Sequence, residues 1–271
     1  RGMDSDREIL NMEEAAELFG VSIKTFIKLL REENVPARKI GREWRFSKSA
    51  LVAWLSQGSS KTYSSSEQDT RQFFEQIAPK WEEISAALYD RSIVSKLLDT
   101  GLLTAGMTVL DYGSGDGYIS RGIASKVEKI IAMDMSESML DELERKAKAQ
   151  GISNILTVEC EESEVPFRDE KVDLVCASMI LHHIELPRNI ISEFYRVLKP
   201  EGVLFIADLL PHDDEDFRKS MHDYHKGINP IALEQWLLDV GFGSLNIEKL
   251  PDAAKDEKNI FVLTAVKVGP A

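Results

Sequence analysis

Cysteine is nearly missing from this chain, whose 271 residues hold only Cys160 and Cys176. Both fall in or beside apolar runs, so they read as small buried hydrophobes of a reducing compartment and exclude a disulfide framework. Long apolar runs are missing as well: there is no stretch that could span a bilayer and no signal-peptide core, which points to the cytoplasm and away from the membrane. An excess of positive charge is the third absence, with 33 Lys and Arg against 46 Asp and Glu and a formal net charge of −13. The deficit is uneven, because residues 1–57 carry 10 basic and 9 acidic side chains and leave 23 against 37 for the rest. So acidic a C-terminal part repels polyanions from its own surface, and any contact with nucleic acid falls to the N-terminal stretch.

A break separates the two parts. Gln57-Gly58-Ser59-Ser60-Lys61-Thr62-Tyr63-Ser64-Ser65-Ser66 is rich in Ser and Gly, has no apolar periodicity and reads as a linker over residues 58–66. Ahead of it, over residues 8–57, Asn11 caps a first helix with Glu13 and Glu14 in its opening turn, and Gly20 stops it. Ser22 then caps a second helix to about Glu33, with Phe26, Leu29 and Leu30 turned to a core. Val35 to Phe46 reads as a two-stranded wing turning at Gly41-Arg42, and a third helix from Ser47 to Leu55 packs Trp54 inward. Residues 8–57 thus resemble the excisionase-type winged helix related to the MerR regulators, including its Pro-x-x-x-x-Gly-x-x-x-Arg wing. Between Val21 and Lys48 eight basic residues stand against three acidic ones. Lys24, Thr25, Lys28, Arg38, Arg42 and Arg45 are therefore expected as groove and phosphate contacts to DNA, the other reading being a solvated protein–protein module.

Beyond the linker, an apolar run from Met107 to Leu110 ends in Asp111, and Gly113, Gly115 and Gly117 follow at alternate positions before a helical pattern resumes. A glycine turn between a strand and a helix lets backbone approach a ligand. The acid in front would repel a pyrophosphate and welcome an ammonium group. Ile130-Ile131-Ala132-Met133 is a second apolar run, ending in Asp134, where a carboxylate can accept both hydroxyls of a ribose. Pro166-Phe167 follows Glu161 and Glu162; Val172 to Ser178 reads as a fourth strand; Arg196-Val197-Leu198-Lys199-Pro200-Glu201-Gly202 reads as a turn feeding a fifth strand, Val203 to Ala207.

In their order these segments resemble the motifs of the class I S-adenosylmethionine (SAM) methyltransferases. The resemblance implies an α/β fold: a Rossmann-like, seven-stranded methyltransferase domain over residues 67–271, behind the small winged helix-turn-helix domain. It implies SAM as cofactor, with Gly113, Ser114 and Gly115 against its methionine part and Asp111 near the ammonium or ordering that loop. Gly117 completes the glycine motif, Asp134 takes the ribose hydroxyls, Met135 lies on the adenine, Glu161 and Glu162 face the adenine amino group, and Ser178 closes the pocket.

The partner of the reaction is read from what remains. All five histidines, His182, His183, His212, His222 and His225, lie in the second half, and His182, His222 and His225 are expected as candidate bases. Pro211 to Asn229, which also carries Asp213, Asp214, Asp223 and Tyr224, is expected to be a lid over the acceptor. His222-x-x-His225 has metal-ligand types but reads as a polar helix face, so no metal is expected. Trp81 and Tyr89 roof the pocket or simply pack. No Asn- or Asp-Pro-Pro-Tyr follows the fourth strand, no Pro-Cys nucleophile exists, and the cysteine set of arsenite methyltransferases is missing. The acceptor is accordingly expected to be a small molecule, methylated by an enzyme with a DNA-binding domain. The alternative is a transcriptional regulator that senses SAM or another ligand through a methyltransferase fold, and a homodimer stays open in both.

Overall fold

A computed structural model describes residues 8–32, 35–41, 43–57, 70–88, 92–161, 165–250 and 259–268. The chain divides into two compact units, Arg1–Ser66 and Glu67–Ala271. The expected linker 58–66, Arg42, Tyr89 and Glu162 lie outside the described residues, as does the side chain of Lys28.

In the first unit α1 (Met12–Leu18) starts at a full capping box: Asn11 Oδ1 accepts from Glu14 N while Glu14 reaches back to Asn11 N. Next come α2 (Ile23–Glu32) and α3 (Lys48–Gln57), whose first turn is bonded by Ser47 Oγ, which accepts from Ala50 N. Phe26 stacks on Phe19 and meets Phe46 edge-on, and Trp54 closes on Phe19. The wing is β2 (Arg38–Ile40) against β3 (Glu43–Ser47), with Gly41 at φ 64° in the turn. The two-stranded expectation is corrected by one strand, because β1 (Ile9–Leu10) pairs with the far side of β3 through Ile9↔Ser47 and Leu10↔Phe46. Two residues are too few to show a period of two, which is why the sequence hides it.

The second unit opens with helical residues 70–77 (α4), a 3-10 turn at Ala78–Lys80 and α5 (Trp81–Leu88). Pro79 lacks the N–H that a continuing helix requires, and the helix breaks there. After α6 (Ile93–Asp99) come β4 (Thr108–Tyr112), α7 (Tyr118–Ile123), β5 (Lys129–Asp134), α8 (Glu137–Ala149), β6 (Ile155–Glu159) and β7 (Val172–Ser178). These are followed by α9 (Pro187–Val197), β8 (Leu198–Leu209), α10 (Glu215–Ser220), α11 (Pro230–Val240), β9 (Phe242–Lys249) and β10 (Ile260–Lys267). The seven strands lie in the order β6-β5-β4-β7-β8-β10-β9, all neighbours parallel except β10, which runs against both β8 and β9. Chain order reverses between β4 and β7, and open α/β sheets bind ligands outside the carboxyl ends of strands at such a point. Strand β8 starts at Leu198, inside the expected turn, since Val172↔Leu198 pair before Glu201, at φ 62°, offsets the register. The expected lid 211–229 is partly helical: Asp214 Oδ1 accepts from Phe217 N and caps α10.

Candidate active site

The glycine turn closes around two buried acids. Asp111, at the fourth position of β4, is buried, and its Oδ2 accepts from Ser120 N at 3.1 Å and Ser120 Oγ at 2.6 Å, tying the strand to α7. Burial pushes its carboxyl up to about 6, Ser120 opposes the rise, and the charges of Asp134 and Asp116 add to it. Asp134, ending β5, accepts from Gly115 N at 2.8 Å and from Ser136 N at 3.0 Å, and burial raises its pKa as well. One carboxylate thus fixes both the glycine turn and the entry to α8. Gly113 at φ 68° and Gly117 at φ 80° cannot be exchanged freely, because a Cβ would fall 2.4 Å from Ile180 Cγ1 and 2.4 Å from Leu143 Cγ respectively. Ser114 N bonds Met133 O at 2.9 Å, while among the described residues its buried Oγ has no hydrogen-bond partner. Asp116 between the glycines is a structural group, held by Lys146 at 2.6 Å, which also reaches Glu82 at 2.8 Å.

A cavity opens over this turn. Asp111, Gly113, Ser114, Gly115, Asp134, Met135, Glu161 and Ser178 all line it, so eight of the ten expected cofactor residues share one space. Gly117 does not line it but begins α7 behind it, and Glu162 lies outside the described residues. Helix α4 supplies walls that sequence reasoning missed. Phe74 meets Trp81 and His183 edge-on, and Glu75 accepts from the amide and hydroxyl of Ser138, which clamps α4 to the start of α8. Arg71 from the same helix pairs with Glu161 at 2.9 Å and Glu159 at 3.4 Å. The apolar spacing Phe73-Phe74-x-x-Ile77 carries the only signal for these contacts. Trp81 lines the cavity.

The histidines fall elsewhere than expected. Met179 leaves β7 at φ 57° and turns the chain into the 3-10 turn Leu181–His183. His182 is fully buried, its Nδ1 2.6 Å from Asp208 Oδ1, and Asp208 also accepts from Leu181 N at 2.9 Å and Leu209 N at 2.7 Å. Burial works to lower the pKa of His182, but Asp208 and Asp223 together raise it above the ordinary imidazole value. The ring of His222 stacks on Phe73 at 4.6 Å, and His225 directs Nε2 to Ile184 O at 2.9 Å. None of these three is among the residues lining the cavity; His183 is. Burial and the neighbouring His182 hold His183 well below its usual range. Asp223 is buried, and burial pushes its carboxyl up to about 6 against the pull of His182. Asp208 was missed too, although an acid inside the apolar run Val203 to Leu209 is a visible signal.

In the first unit Lys24, Thr25 and Arg38 are exposed, Thr25 being bonded to Ser22. Arg38 and Arg45 are cross-strand partners on the wing. The Arg45 guanidinium is engaged by Glu43 of its own strand, so the pair presents less net positive charge than a free arginine would.

The described helices include none long and apolar enough to cross a membrane. Residues 110–206 match the family described as Methyltransferase domain, and residues 9–59 match the Helix-turn-helix domain family. The ubiquinone biosynthesis O-methyltransferase of Coxiella burnetii (strain Dugway 5J108-111) is 24% identical over 196 residues, 64% of this chain and 81% of that protein. The demethylmenaquinone methyltransferase of Clavibacter sepedonicus is 30% identical over 172 residues, 59% of this chain and 68% of that protein. A solved structure of Haemonchus contortus phosphoethanolamine N-methyltransferase 2 with S-adenosyl-L-methionine resembles this fold at a TM-score of 0.63 and 17% identity, covering 96% of this chain and 76% of that one. Identity of 30% across 68% of a methyltransferase, on a sheet of this order, is a family relationship: the chain belongs to the class I SAM-dependent methyltransferases and carries a helix-turn-helix domain in front of the catalytic one.

Proposed function

We propose that this enzyme methylates a small molecule with an apolar or aromatic body, and that its helix-turn-helix domain holds it on DNA. The observation that carries the first part is one cavity lined both by the acidic glycine turn and by Phe74, Trp81, Ile180 and His183. SAM supplies an activated methyl group on a sulfonium. The chain's own residues bind, align and exclude water. Gly113, Ser114 and Gly115 would set backbone and the Ser114 hydroxyl against the amino-acid end, with Asp111 available to its ammonium. Asp134, pinned by two backbone amides, would keep lone pairs for the ribose hydroxyls, with Met135 and Glu161 available to the adenine and Ser178 to the floor of the cavity. With SAM bound, transfer would require the acceptor in line with the methyl group, so the alignment these residues give would supply much of the rate. The names of the quinone-pathway relatives support an aromatic acceptor, and the acidity of residues 58–271 speaks against a polyanionic one.

Calorimetry should show SAM and S-adenosylhomocysteine binding at micromolar affinity, roughly −8 kcal/mol. Asp134→Ala frees two amides and should lose most of that; if neither ligand binds the intact protein, the reading falls. DNA binding is supported by the match to a helix-turn-helix family and by Arg38 facing Arg45 across the wing. A second reading, regulation by SAM, is favoured by the order of reader ahead of ligand domain. A ligand changes DNA affinity only by favouring one of two states. Equal gel-shift affinity with and without SAM therefore removes that reading.

A further inference from the structure

His182, His183 and Asp223 meet in the interior with their ligating atoms turned toward one another. Asp223 Oδ1 stands 3.2 Å from His183 Nδ1 and 3.8 Å from His182 Nε2, and one such atom from each residue lies within 4.8 Å of the other two. All three side chains are buried, and among the described residues none of these atoms, nor Asp223 Oδ2, has a hydrogen-bond partner. Both rings are anchored from outside the cluster, His182 through Nδ1 to Asp208 and His183 through the backbone of His222. A neutral imidazole that gives its N–H outward turns a lone pair inward. Two imidazole nitrogens and a carboxylate then face one another in a dry space, an arrangement that a bound cation would satisfy.

We propose that His182 Nε2, His183 Nδ1 and the Asp223 carboxylate bind a divalent transition-metal ion of the zinc or iron(II) type. Two histidines and one carboxylate with open positions are the donor set for such ions, whereas magnesium and calcium call for oxygen alone. Bonds of ~2.0–2.1 Å place two ligands of a tetrahedral zinc roughly 3.3 Å apart; the gaps to the carboxylate are 3.2 and 3.8 Å, and the third, between the two imidazole nitrogens, is within 4.8 Å. Asp208 has the position of the carboxylate that orients a metal-bound histidine, and it is itself fixed by Leu181 N and Leu209 N. Asp223 lies in the segment that follows β8, which also bonds back to the turn through His225 N and His182 O at 3.0 Å. His183 is at once a ligand and a cavity wall, so the site adjoins the acceptor's space. If an acceptor oxygen occupied an open coordination position, its proton would pass to water before it attacked the methyl carbon; this step rests on the small-molecule reading above.

The full-length protein, stripped with a chelator and dialysed, should take up one zinc ion per chain in a calorimetric titration checked by elemental analysis. Asp223→Asn and His183→Gln should each weaken uptake about a hundredfold or more, and Asp208→Asn by about ten- to a hundredfold. SAM titrated into the same samples reports whether each variant is folded, and Asp134, on which that binding rests, is not among the metal ligands. A stripped wild type that takes up neither zinc nor iron(II), or uptake unchanged in the folded variants, overturns the proposal. Stoichiometric zinc in a protein that methylates no small molecule would keep the metal site and remove the small-molecule reading instead.

Discussion

Acidification from about pH 7 to about pH 5 should weaken SAM roughly tenfold through Asp111 alone. Its carboxyl titrates at about 6 because it is buried beside Asp134 and Asp116, so near pH 7 most chains present a carboxylate and near pH 5 few do. The ammonium of the cofactor stays charged across this window and pairs only with the ionised form. If binding returns the group to its ordinary value of 3.8, the shift of about two units caps the effect at ~3 kcal/mol. Without ligand the same shift acts on folding with the opposite sense. The folded chain holds this proton more tightly than the unfolded one, so the contribution of Asp111 to stability is full below about pH 4 and is lost as pH rises through about 6. Calorimetry at both pH values with SAM and with 5′-methylthioadenosine, which has the ribose but no ammonium, isolates Asp111. Any share from Asp134, whose pKa is also raised by burial, is common to the two ligands and cancels in their ratio. Equal pH dependence of the two would refute the pairing of Asp111 with the ammonium.

Gly113→Ala should lower the melting temperature and abolish measurable SAM binding: the left-handed backbone costs ~1–2 kcal/mol, and the new Cβ lands 2.4 Å from Ile180 Cγ1. Differential scanning fluorimetry with and without SAM reads both effects, and a wild-type response would mean that the turn is slack. Arg38→Ala should cut DNA affinity about uniformly across sequences and flatten its salt dependence by roughly one unit, with a smaller change for Arg45→Ala because Glu43 already neutralises part of that charge. Deletion of residues 1–66 should leave SAM affinity unchanged, since every cavity-lining residue lies in the second unit. A truncated protein that folds yet binds SAM tenfold more weakly would show that the units cooperate.

The cofactor end of the site was legible because its geometry is local. Asp111, the three glycines and Ser120 lie within one strand–turn–helix, and Asp134 needs only the end of the next strand. Features that depend on register were not. His182 reaches Asp208 because β7 and β8 pair in parallel with Ser178 opposite Ala207, which sets the turn after one strand beside the acid near the end of the other. From the sequence, His182 was a candidate base past a strand, and Asp208 was not singled out. The pair His222-x-x-His225 was read as a polar helix face, and the structure gives it no helix. The described helix of that segment ends at Ser220, His222 takes φ 57°, and the two rings go to Phe73 and to Ile184 O.

The same comparison bears on what the acceptor end can do. A base must reach its substrate, and His182, enclosed on all sides, cannot do so, while His222 and His225 lie off the wall of the cavity. His183 does reach the wall, but its Nδ1 faces Asp223 and its ring is held by the His222 backbone. Proton removal by a mobile histidine is therefore a poor fit to this geometry. A rigid group of buried ligands fits better with chemistry in which the acceptor is oriented and its charge stabilised without movement of a side chain. Replacing His222 with Ala then becomes the informative contrast. Its ring stacks on Phe73 and does not line the cavity, so methyl transfer should stay within about threefold of wild type at every pH, whereas a histidine acting as general base typically contributes a hundredfold or more. A hundredfold loss in that variant, with SAM affinity intact, would return the catalytic role to the mobile segment and away from the buried cluster.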